Sequence, residues 1–384
     1  MIIRLNNCRL IPELSNACSF EYADVLIKDG LILNVLPANS KMDSEESQSI
    51  NCNRKTLIPG MFDLHMHLDY TWMTDEPRLS DFKLFTMASL TVKRYLDFGF
   101  TTVRDMGAPK RVSIAVRTAI NKGLFNGPRI ISGGMIINPI SRASKREEFS
   151  FMREVSGSDE MIKAAREEIG EGADYIKLYV NGNPPSMLPE EIDAAVRIAK
   201  INKKKVAAHA HDTQAINMCI DKGVDTIEHG SYIDAEAIEK LKEEKSYLVP
   251  TLAILSPLTY CPGINMNAKE TVLKNILDAN AVNITAAYKA GLKLGFGTDT
   301  PIESFEGYEG LEFKMRKEIC GMSNIDILLQ ATKYSALILG LQNVTGEIKE
   351  GLAADLVLVD GNPDENIEVM YKKPLMVFKA GILN

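Results

Sequence analysis

Three stretches in the middle of the chain decide the fold: ADYIKLYV at residues 173–180, KKVAAHAHD at 204–212 and VDTIEHG at 224–230. Each contains a short apolar run of the length that a buried strand needs. The segments between them, such as PEEIDAAVRIAKIN at residues 189–202, repeat apolar residues at helical spacing. Strands that alternate with helices in this way predict βα units around a parallel sheet.

The same alternation extends in both directions from these units. It predicts an α/β fold with eight barrel strands, which lie near residues 58–67, 101–106, 129–133, 175–180, 206–211, 226–229, 247–251 and 292–299. Eight such strands, each followed by a helix, would close into a (β/α)8 TIM barrel, which needs about 250 residues. We expect residues 57–345 to form this barrel.

The two ends of the chain differ from its middle. Both carry short apolar runs separated by turn residues, and Asp29-Gly30 between two such runs predicts a hairpin. The polar residues 40–53 are expected to form a loop. The simplest arrangement pairs residues 1–56 with residues 346–384 as a small β-sandwich domain beside the barrel.

Composition and charge restrict the possible partners. The 384 residues carry a formal charge of −7, which argues against a nucleic-acid-binding face. No apolar run approaches the roughly 18 residues of a membrane span, and the N-terminus lacks a signal-peptide pattern. Six scattered cysteines without a C-x-x-C pair are typical of free thiols. We therefore expect a cytoplasmic protein without membrane or nucleic-acid partners.

The five histidines all fall at the C-terminal ends of predicted barrel strands: His65, His67, His209, His211 and His229. Active sites of such barrels are built at this end. Since residues i and i+2 of a strand share a face, each H-x-H pair presents both rings on one side. Asp299 shares its face with two glycines, and Lys177 shares its face with Tyr175 and Tyr179.

A lysine inside a barrel mouth is costly as an unpaired ammonium. Reaction of Lys177 with carbon dioxide would give a carbamate, an anion whose two oxygens can bridge two divalent cations. Imidazole and carboxylate ligands favour zinc, although manganese, iron or nickel also fit.

The ordered motifs LIPGMFDLHMHL, GADYIKLYVNG, VAAHAHD, GVDTIEHGSYID and GFGTDT resemble those of the binuclear amidohydrolase superfamily. The resemblance is greatest to its imidazolonepropionase-like branch of Xaa-Pro and Xaa-Arg dipeptidases and carboxypeptidases. It implies two zinc-class ions, one bound by His65, His67 and Asp299. His209 and His229 would bind the other, and Lys177, N-carboxylated by CO2, would bridge them.

The resemblance leaves His211 without a metal role, so we assign it to substrate contact together with Tyr179 and Tyr232. One motif departs from the family, because the branch carries a GGH-type sequence after strand three where this chain reads GGM at residues 133–135. The long stretch 134–158 that follows is either a lid or a solvated excursion. Its Arg142, Lys145 and Arg146 could meet a substrate carboxylate.

The implied reaction is hydrolysis of an amide C–N bond, in a dipeptide or N-acyl amino acid, by a metal-bridging hydroxide with Asp299 as general base and acid. A mononuclear deaminase or cyclic-amide hydrolase on the same fold is the alternative within enzymes. A catalytically silent binding protein is the alternative of another class. Relatives often assemble, so we also expect a homo-oligomer.

Overall fold

One eight-stranded sheet joins the two ends of the chain in the computed structural model. The structure describes residues 2–16, 18–41, 47–68, 80–140, 151–180, 187–243, 246–256, 266–299 and 309–384. The strands of this terminal sheet are β1 (Ile2–Arg9), β2 (Tyr22–Lys28), β3 (Leu31–Pro37), β4 (Ser47–Asn51), β5 (Thr56–Pro59), β15 (Leu356–Val359), β16 (Met376–Lys379) and β17 (Ile382–Leu383). They follow the order β17-β16-β15-β5-β1-β2-β3, with β4 also paired to β1.

The hairpin prediction is confirmed, because β2 and β3 pair antiparallel across Asp29 and Gly30. Their φ values of 52° and 81° are both positive, as a two-residue turn of type I′ requires. The loop prediction for residues 40–53 is wrong in part, since Ser47–Asn51 pairs in parallel with β1.

The middle of the chain forms two parallel sheets. The first has the order β6-β7-β8, and the second has the order β10-β9-β11-β12-β13-β14. Their strands are β6 (Met61–Met66), β7 (Phe100–Asp105), β8 (Arg129–Ser132), β9 (Ile136–Pro139), β10 (Met152–Val155), β11 (Tyr175–Tyr179), β12 (Lys205–Ala210), β13 (Thr226–His229) and β14 (Tyr247–Val249). The parallel α/β character expected from the sequence is therefore present.

Helices alternate with these strands and cover their apolar faces. They are α1 (Asp81–Asp97), α2 (Val112–Asn121), α3 (Ser158–Gly170), α4 (Pro189–Ile201), α5 (Thr213–Asp221), α6 (Ala235–Glu243), α7 (Met266–Lys289), α8 (Leu311–Cys320), α9 (Asn324–Leu329) and α10 (Ser335–Leu339). Ile176 and Leu178 of β11 belong to the same buried cluster as Ile192 and Ala195 of α4, as strand alternation predicts. Among the described residues, no helix is long and apolar enough to span a membrane.

The first predicted barrel strand is divided at Gly60. Residues before it belong to the terminal sheet as β5, and residues after it form β6. A side chain at Gly60 would lie 2.1 Å from the Thr101 hydroxyl oxygen, so only glycine permits this close approach to the next strand.

The eighth predicted strand is wrong as a regular element, because residues 292–299 have no strand assignment. Single backbone hydrogen bonds nevertheless hold this segment. Gly295 N donates to Leu248 O at 2.9 Å, Leu64 N donates to Phe296 O at 2.7 Å, and Asp299 N donates to His65 O at 2.7 Å. The segment therefore lies between β14 and β6, which brings Asp299 next to the histidines of strand β6.

The long connection after β8 contains two strands that the sequence reading missed. Strands β9 and β10 pair in parallel, with Met152 opposite Ile136. Residues 141–150 of the proposed lid, which include the cations Arg142, Lys145 and Arg146, lie outside the described residues.

Candidate active site

The five histidine rings lie next to one another at the ends of β6, β12 and β13. The ring centroids of His65 and His229 are 4.7 Å apart, and those of His209 and His229 are 4.6 Å apart. His67 lies 5.5 Å from His65, and His211 lies 4.6 Å from His229. Residues more than 160 positions apart in sequence thus form one cluster, as their positions at strand ends predict.

Asp299 contacts three of these rings. Its Oδ1 is 3.5 Å from the Nε2 atoms of both His65 and His67, and its Oδ2 is 3.9 Å from Nδ1 of His229. Among the described residues, two groups have ligand atoms close enough to share a metal ion. One group is His65, His229 and Asp299, and the other is His209, His211 and His229.

Two of these residues have left-handed backbone conformations. The φ of His229 is 67° and that of Asp299 is 52°, which is uncommon for residues other than glycine. Glu228 contacts His65, so alternation would turn the next residue to the opposite face. The positive φ of His229 instead brings its ring onto the same cluster. Backbone strain of this kind concentrates at functional sites.

Hydrogen bonds hold the Nδ1 atoms of four rings. His65 Nδ1 lies 2.9 Å from Glu228 Oε2, and His67 Nδ1 lies 2.9 Å from the carbonyl oxygen of Gly107. Both partners are acceptors, so both Nδ1 atoms carry the proton and the Nε2 lone pairs face Asp299. His211 Nδ1 contacts the Ser231 hydroxyl at 2.9 Å, and His229 Nδ1 contacts the Thr251 hydroxyl at 2.7 Å.

Burial keeps the imidazoles neutral. It lowers the pKa of His65, His209 and His229 well below the usual value, and nearby positive charge, including Lys177, adds to the effect. It lowers the pKa of His67 and His211 to about 4. A neutral imidazole is the form that binds metal ions.

Lys177 points into the same cluster from β11. Its side chain is 1% exposed, and its Nζ has no hydrogen-bond partner among the described residues. Burial lowers the pKa of Lys177 to about 8, against the opposite effect of the Glu228 and Asp299 carboxylates. An unpartnered buried amine is costly, so the position calls for an explanation other than stability.

Asp63 holds the segment that carries Asp299. Its Oδ1 accepts from His65 N at 3.0 Å and from Thr298 N at 3.1 Å, and its Oδ2 accepts from the Thr298 hydroxyl at 2.7 Å.

Burial, with the Asp63 and Glu228 carboxylates, raises the pKa of Asp299 to about 8, although Lys177 acts in the opposite direction.

The three residues assigned to substrate contact have different surroundings. Tyr179 stacks on His209, with ring centroids 4.1 Å apart. His211 lies inside the histidine cluster and belongs to one of the two possible ligand groups. Tyr232 is 40% exposed, and its backbone N donates to His211 O.

Four supporting residues escaped the sequence reading: Asp63, Arg104, Glu228 and Thr251. Charged residues within apolar strands were the available signal, since Asp63, Arg104 and Glu228 lie in the strand sequences FDLH, TTVRD and IEHG. Their partners lie on other strands and could not be identified from local pattern.

The sequence of the chain matches a family of known proteins. The model of the amidohydrolase family matches residues 56–383, and the chain belongs to that family. It is a hydrolase that acts on amide bonds.

Known proteins similar to the chain include an ochratoxinase, a prolidase and a Xaa-Pro dipeptidase. Ochratoxinase from Aspergillus niger is 28% identical over 373 residues, which cover 85% of this chain and 75% of that protein. A prolidase structure with bound N-methylphosphonate-L-proline is 27% identical with a TM-score of 0.87, covering 100% of this chain and 99% of that one. A Xaa-Pro dipeptidase structure with bound methionine is 27% identical with a TM-score of 0.86, covering 100% of both chains.

Proposed function

We propose that this chain hydrolyses an amide bond in a dipeptide or N-acyl amino acid, using two divalent cations at the histidine cluster. The convergence of five imidazoles, one carboxylate and one unpartnered buried amine carries the proposal. The two similar structures with bound N-methylphosphonate-L-proline and methionine support a substrate related to amino acids.

The donor set fits a pair of zinc-class ions. His65, His67 and Asp299 would hold one, because two Nε2 atoms and one carboxylate oxygen face one another across 3.5 Å. His209 and His229 would hold the other. Imidazole and carboxylate are common zinc ligands, and the hydrogen bonds to Nδ1 orient the rings as outer partners of metal ligands do.

Lys177 would bridge the two proposed cations as an N-carboxylated side chain. As an ammonium it would add positive charge to a pocket that must hold two dications. Reaction of its neutral amine with CO2 forms an N–C bond, releases one proton and replaces the amine with an anionic carbamate. The lack of a hydrogen-bond partner for Nζ among the described residues is consistent with a position built for this larger group.

In the proposed reaction, Asp299 transfers the proton. When bound, the two cations polarise the substrate carbonyl and activate water for attack. Asp299, which contacts both His65 and His67, takes a proton from the attacking water and returns it to the leaving nitrogen. The products are a carboxylic acid and an amine. His211, Tyr179 and Tyr232 contact the substrate at the rim.

We also propose how the chain is divided into a barrel and a small terminal domain. Gly295 N donates to Leu248 O, Leu64 N donates to Phe296 O, and Asp174 N donates to Ser132 O at 2.8 Å, so both edges of the sheet β6-β7-β8 are linked to the other parallel sheet. This ring supports a (β/α)8 barrel over residues 57–345. The shared terminal sheet supports a separate small β-domain from residues 1–56 and 346–384, folded as a sandwich.

Zinc-loaded and chelator-treated protein would be incubated with a panel of dipeptides and N-acyl amino acids, and released amino acids measured by mass spectrometry. We expect cleavage by the loaded enzyme only, with two ions per chain by atomic emission. One ion per chain with release of ammonia from an amine substrate would instead establish a mononuclear deaminase. One ion with opening of a cyclic amide would establish the other alternative, and bound metal without turnover of any substrate in the panel would contradict the proposed substrates.

A further inference from the structure

A buried charge network lies beneath the proposed metal centre and, among the described residues, forms a side-chain hydrogen bond to one of its proposed ligands, His65. Arg104 on β7 is 3% exposed, and Glu228 on β13 is fully buried. Arg104 Nη2 donates to Glu228 Oε1 at 2.8 Å, and the other oxygen, Glu228 Oε2, lies 2.9 Å from His65 Nδ1.

The remaining contacts fix which carboxylate oxygen faces which partner. Thr226 donates its hydroxyl to Glu228 Oε1 at 2.6 Å, while Arg104 Nη1 donates to that hydroxyl at 3.0 Å. Arg104 Nε donates to Leu64 O at 2.6 Å, one residue before His65. Two donors therefore occupy Oε1, and only Oε2 is left for the histidine.

We propose that Arg104 is a positioning residue that acts through Glu228 to hold His65 in the Nδ1-protonated tautomer, with its Nε2 lone pair facing the metal centre. This inference rests on the proposed function for its metal readout only. Arg104 is separated from the pocket by Glu228 and His65, so it contributes by orientation and charge balance.

The isosteric variant Glu228→Gln tests the tautomer directly. Arg104 and Thr226 both donate to the same site, so they select the amide oxygen of Gln and turn its NH2 toward His65. That NH2 can only donate, which moves the ring proton to Nε2 and removes the lone pair from the metal side. A carboxylate-to-amide substitution beside a catalytic histidine lowers the rate for the same reason, because it favours the wrong tautomer although the geometry is unchanged.

The double variant Arg104→Met with Glu228→Gln distinguishes a positioning role of Arg104 from a merely structural one, because the two roles predict opposite results. Without Arg104, the Thr226 hydroxyl can accept from the amide NH2, and the amide oxygen can turn back to His65. We expect Arg104→Met to restore the Nδ1-protonated tautomer of His65 that Glu228→Gln alone destroys. Two purely structural losses would instead accumulate.

The main measurement is nitrogen NMR of metal-free protein labelled at histidine, which is tractable with five histidines. We expect His65 to change tautomer in Glu228→Gln and to return in the double variant. An unchanged tautomer in the single variant, or no return in the double variant, would overturn the inference. This readout needs neither metal nor activity, so failure of the proposed function would not affect it.

Zinc affinity, measured by competition with a chromophoric chelator, gives the second readout. Outer partners of metal-ligating histidines typically contribute about 10- to 100-fold to metal affinity. We expect Glu228→Gln to weaken one of the two sites by that factor and the double variant to recover part of it. Equal affinity at both sites in the parent and Glu228→Gln would count against the inference.

Glu168→Gln is the matched control. Glu168 is also fully buried, and it pairs with Arg111 through two hydrogen bonds of 2.8 and 2.7 Å. It does not contact any of the histidines. A Glu168 variant that changed the His65 tautomer as much as Glu228→Gln would show that any buried carboxylate has this effect, and would overturn the specific role of Arg104.

Discussion

The two halves of the histidine cluster handle positive charge differently. The carboxylate half, defined as His65, His67 and Asp299, contains a carboxyl group that can supply a negative charge, 3.5 Å from two imidazoles. The imidazole half, defined as His209, His211 and His229, consists of rings that burial keeps neutral by lowering their pKa. A dication held only by neutral ligands in a buried site keeps its full charge, which is costly. In our proposal, the second cation would therefore depend on whatever charge Lys177 carries.

The largest expected effect is that of Lys177→Ala, which removes the only group that could add an anion to the imidazole half in our proposal. We expect loss of at least one bound ion and a fall in kcat/KM of about 10³-fold or more, since a catalytic metal supplies several kcal/mol of transition-state stabilisation. Zinc per chain and the hydrolysis rate are measured together, and a short carboxylic acid is added to restore part of both.

Lys205→Ala is the control for that substitution. Lys205 starts β12, is partly buried and donates to Ile338 O at 2.5 Å, so its removal tests the general effect of deleting a strand lysine. Full metal occupancy in the Lys177 variant would contradict the proposed bridge.

Asp299→Asn should have the next largest effect. A positioned proton carrier contributes about 10²–10⁴-fold in rate, and an amide cannot accept the proton while it can still offer an oxygen to the metal. We expect kcat to fall by that factor while most of the zinc is retained. A variant with the parent kcat would show that another group moves the proton.

A smaller effect should separate two neighbours within the imidazole half. His209→Asn is expected to lose zinc, whereas His211→Asn should keep it and raise KM by about fivefold, because one pocket hydrogen bond or ring contact is worth roughly 1 kcal/mol. Metal content and steady-state kinetics of both variants give the comparison. Loss of zinc in the His211 variant would move this residue from substrate contact to metal ligand, as its position in the cluster also permits.

The smallest effect concerns the stability of the metal-free protein in acid. The folded-state pKa of His67 and His211 is lowered to about 4 from the usual 6.5, so the unfolded chain binds more protons between these values. Their contribution to stability is present above pH 6.5 and is lost as pH falls toward 4. Each should add a slope of about 1 kcal/mol per pH unit.

Urea unfolding of the chelator-treated protein between pH 4 and 7 measures that slope. His211→Asn should flatten it relative to the parent. The buried acids act in the opposite sense, since burial raises the pKa of Asp299 to about 8 and that of Asp63 to about 7. A parent protein whose stability increased as pH fell from 6.5 would show that these acids outweigh the histidines.

Local pattern was sufficient to predict where most of the candidate ligands lie in the structure. Strand alternation places Lys177 on the inner face of β11, between the outward-facing Ile176 and Leu178, and the structure agrees. Parallel strands end at the same side, so the histidines of β6, β12 and β13 had to lie near one another. These inferences need only the two-residue period of a strand and the direction of each strand.

Alternation failed where the backbone departs from a regular strand. Residues 292–299 approach β6 and β14 by single hydrogen bonds rather than a full ladder. Their glycines allow this approach, because a side chain at Gly297 would lie 2.8 Å from the His65 Cβ. The positive φ of His229 likewise turns its ring to the same side as the Glu228 side chain, although adjacent residues of a regular strand face opposite sides.

The sequence by itself determined the parallel α/β order and the end of the strands at which the histidines and Lys177 gather, because these follow from periodicity along a single segment. Only the tertiary structure decided that Arg104 meets Glu228 and that Glu228 meets His65. Those contacts join strands 124 and 163 residues apart. They depend on register and on the path of the chain between strands, which no local pattern of residues specifies.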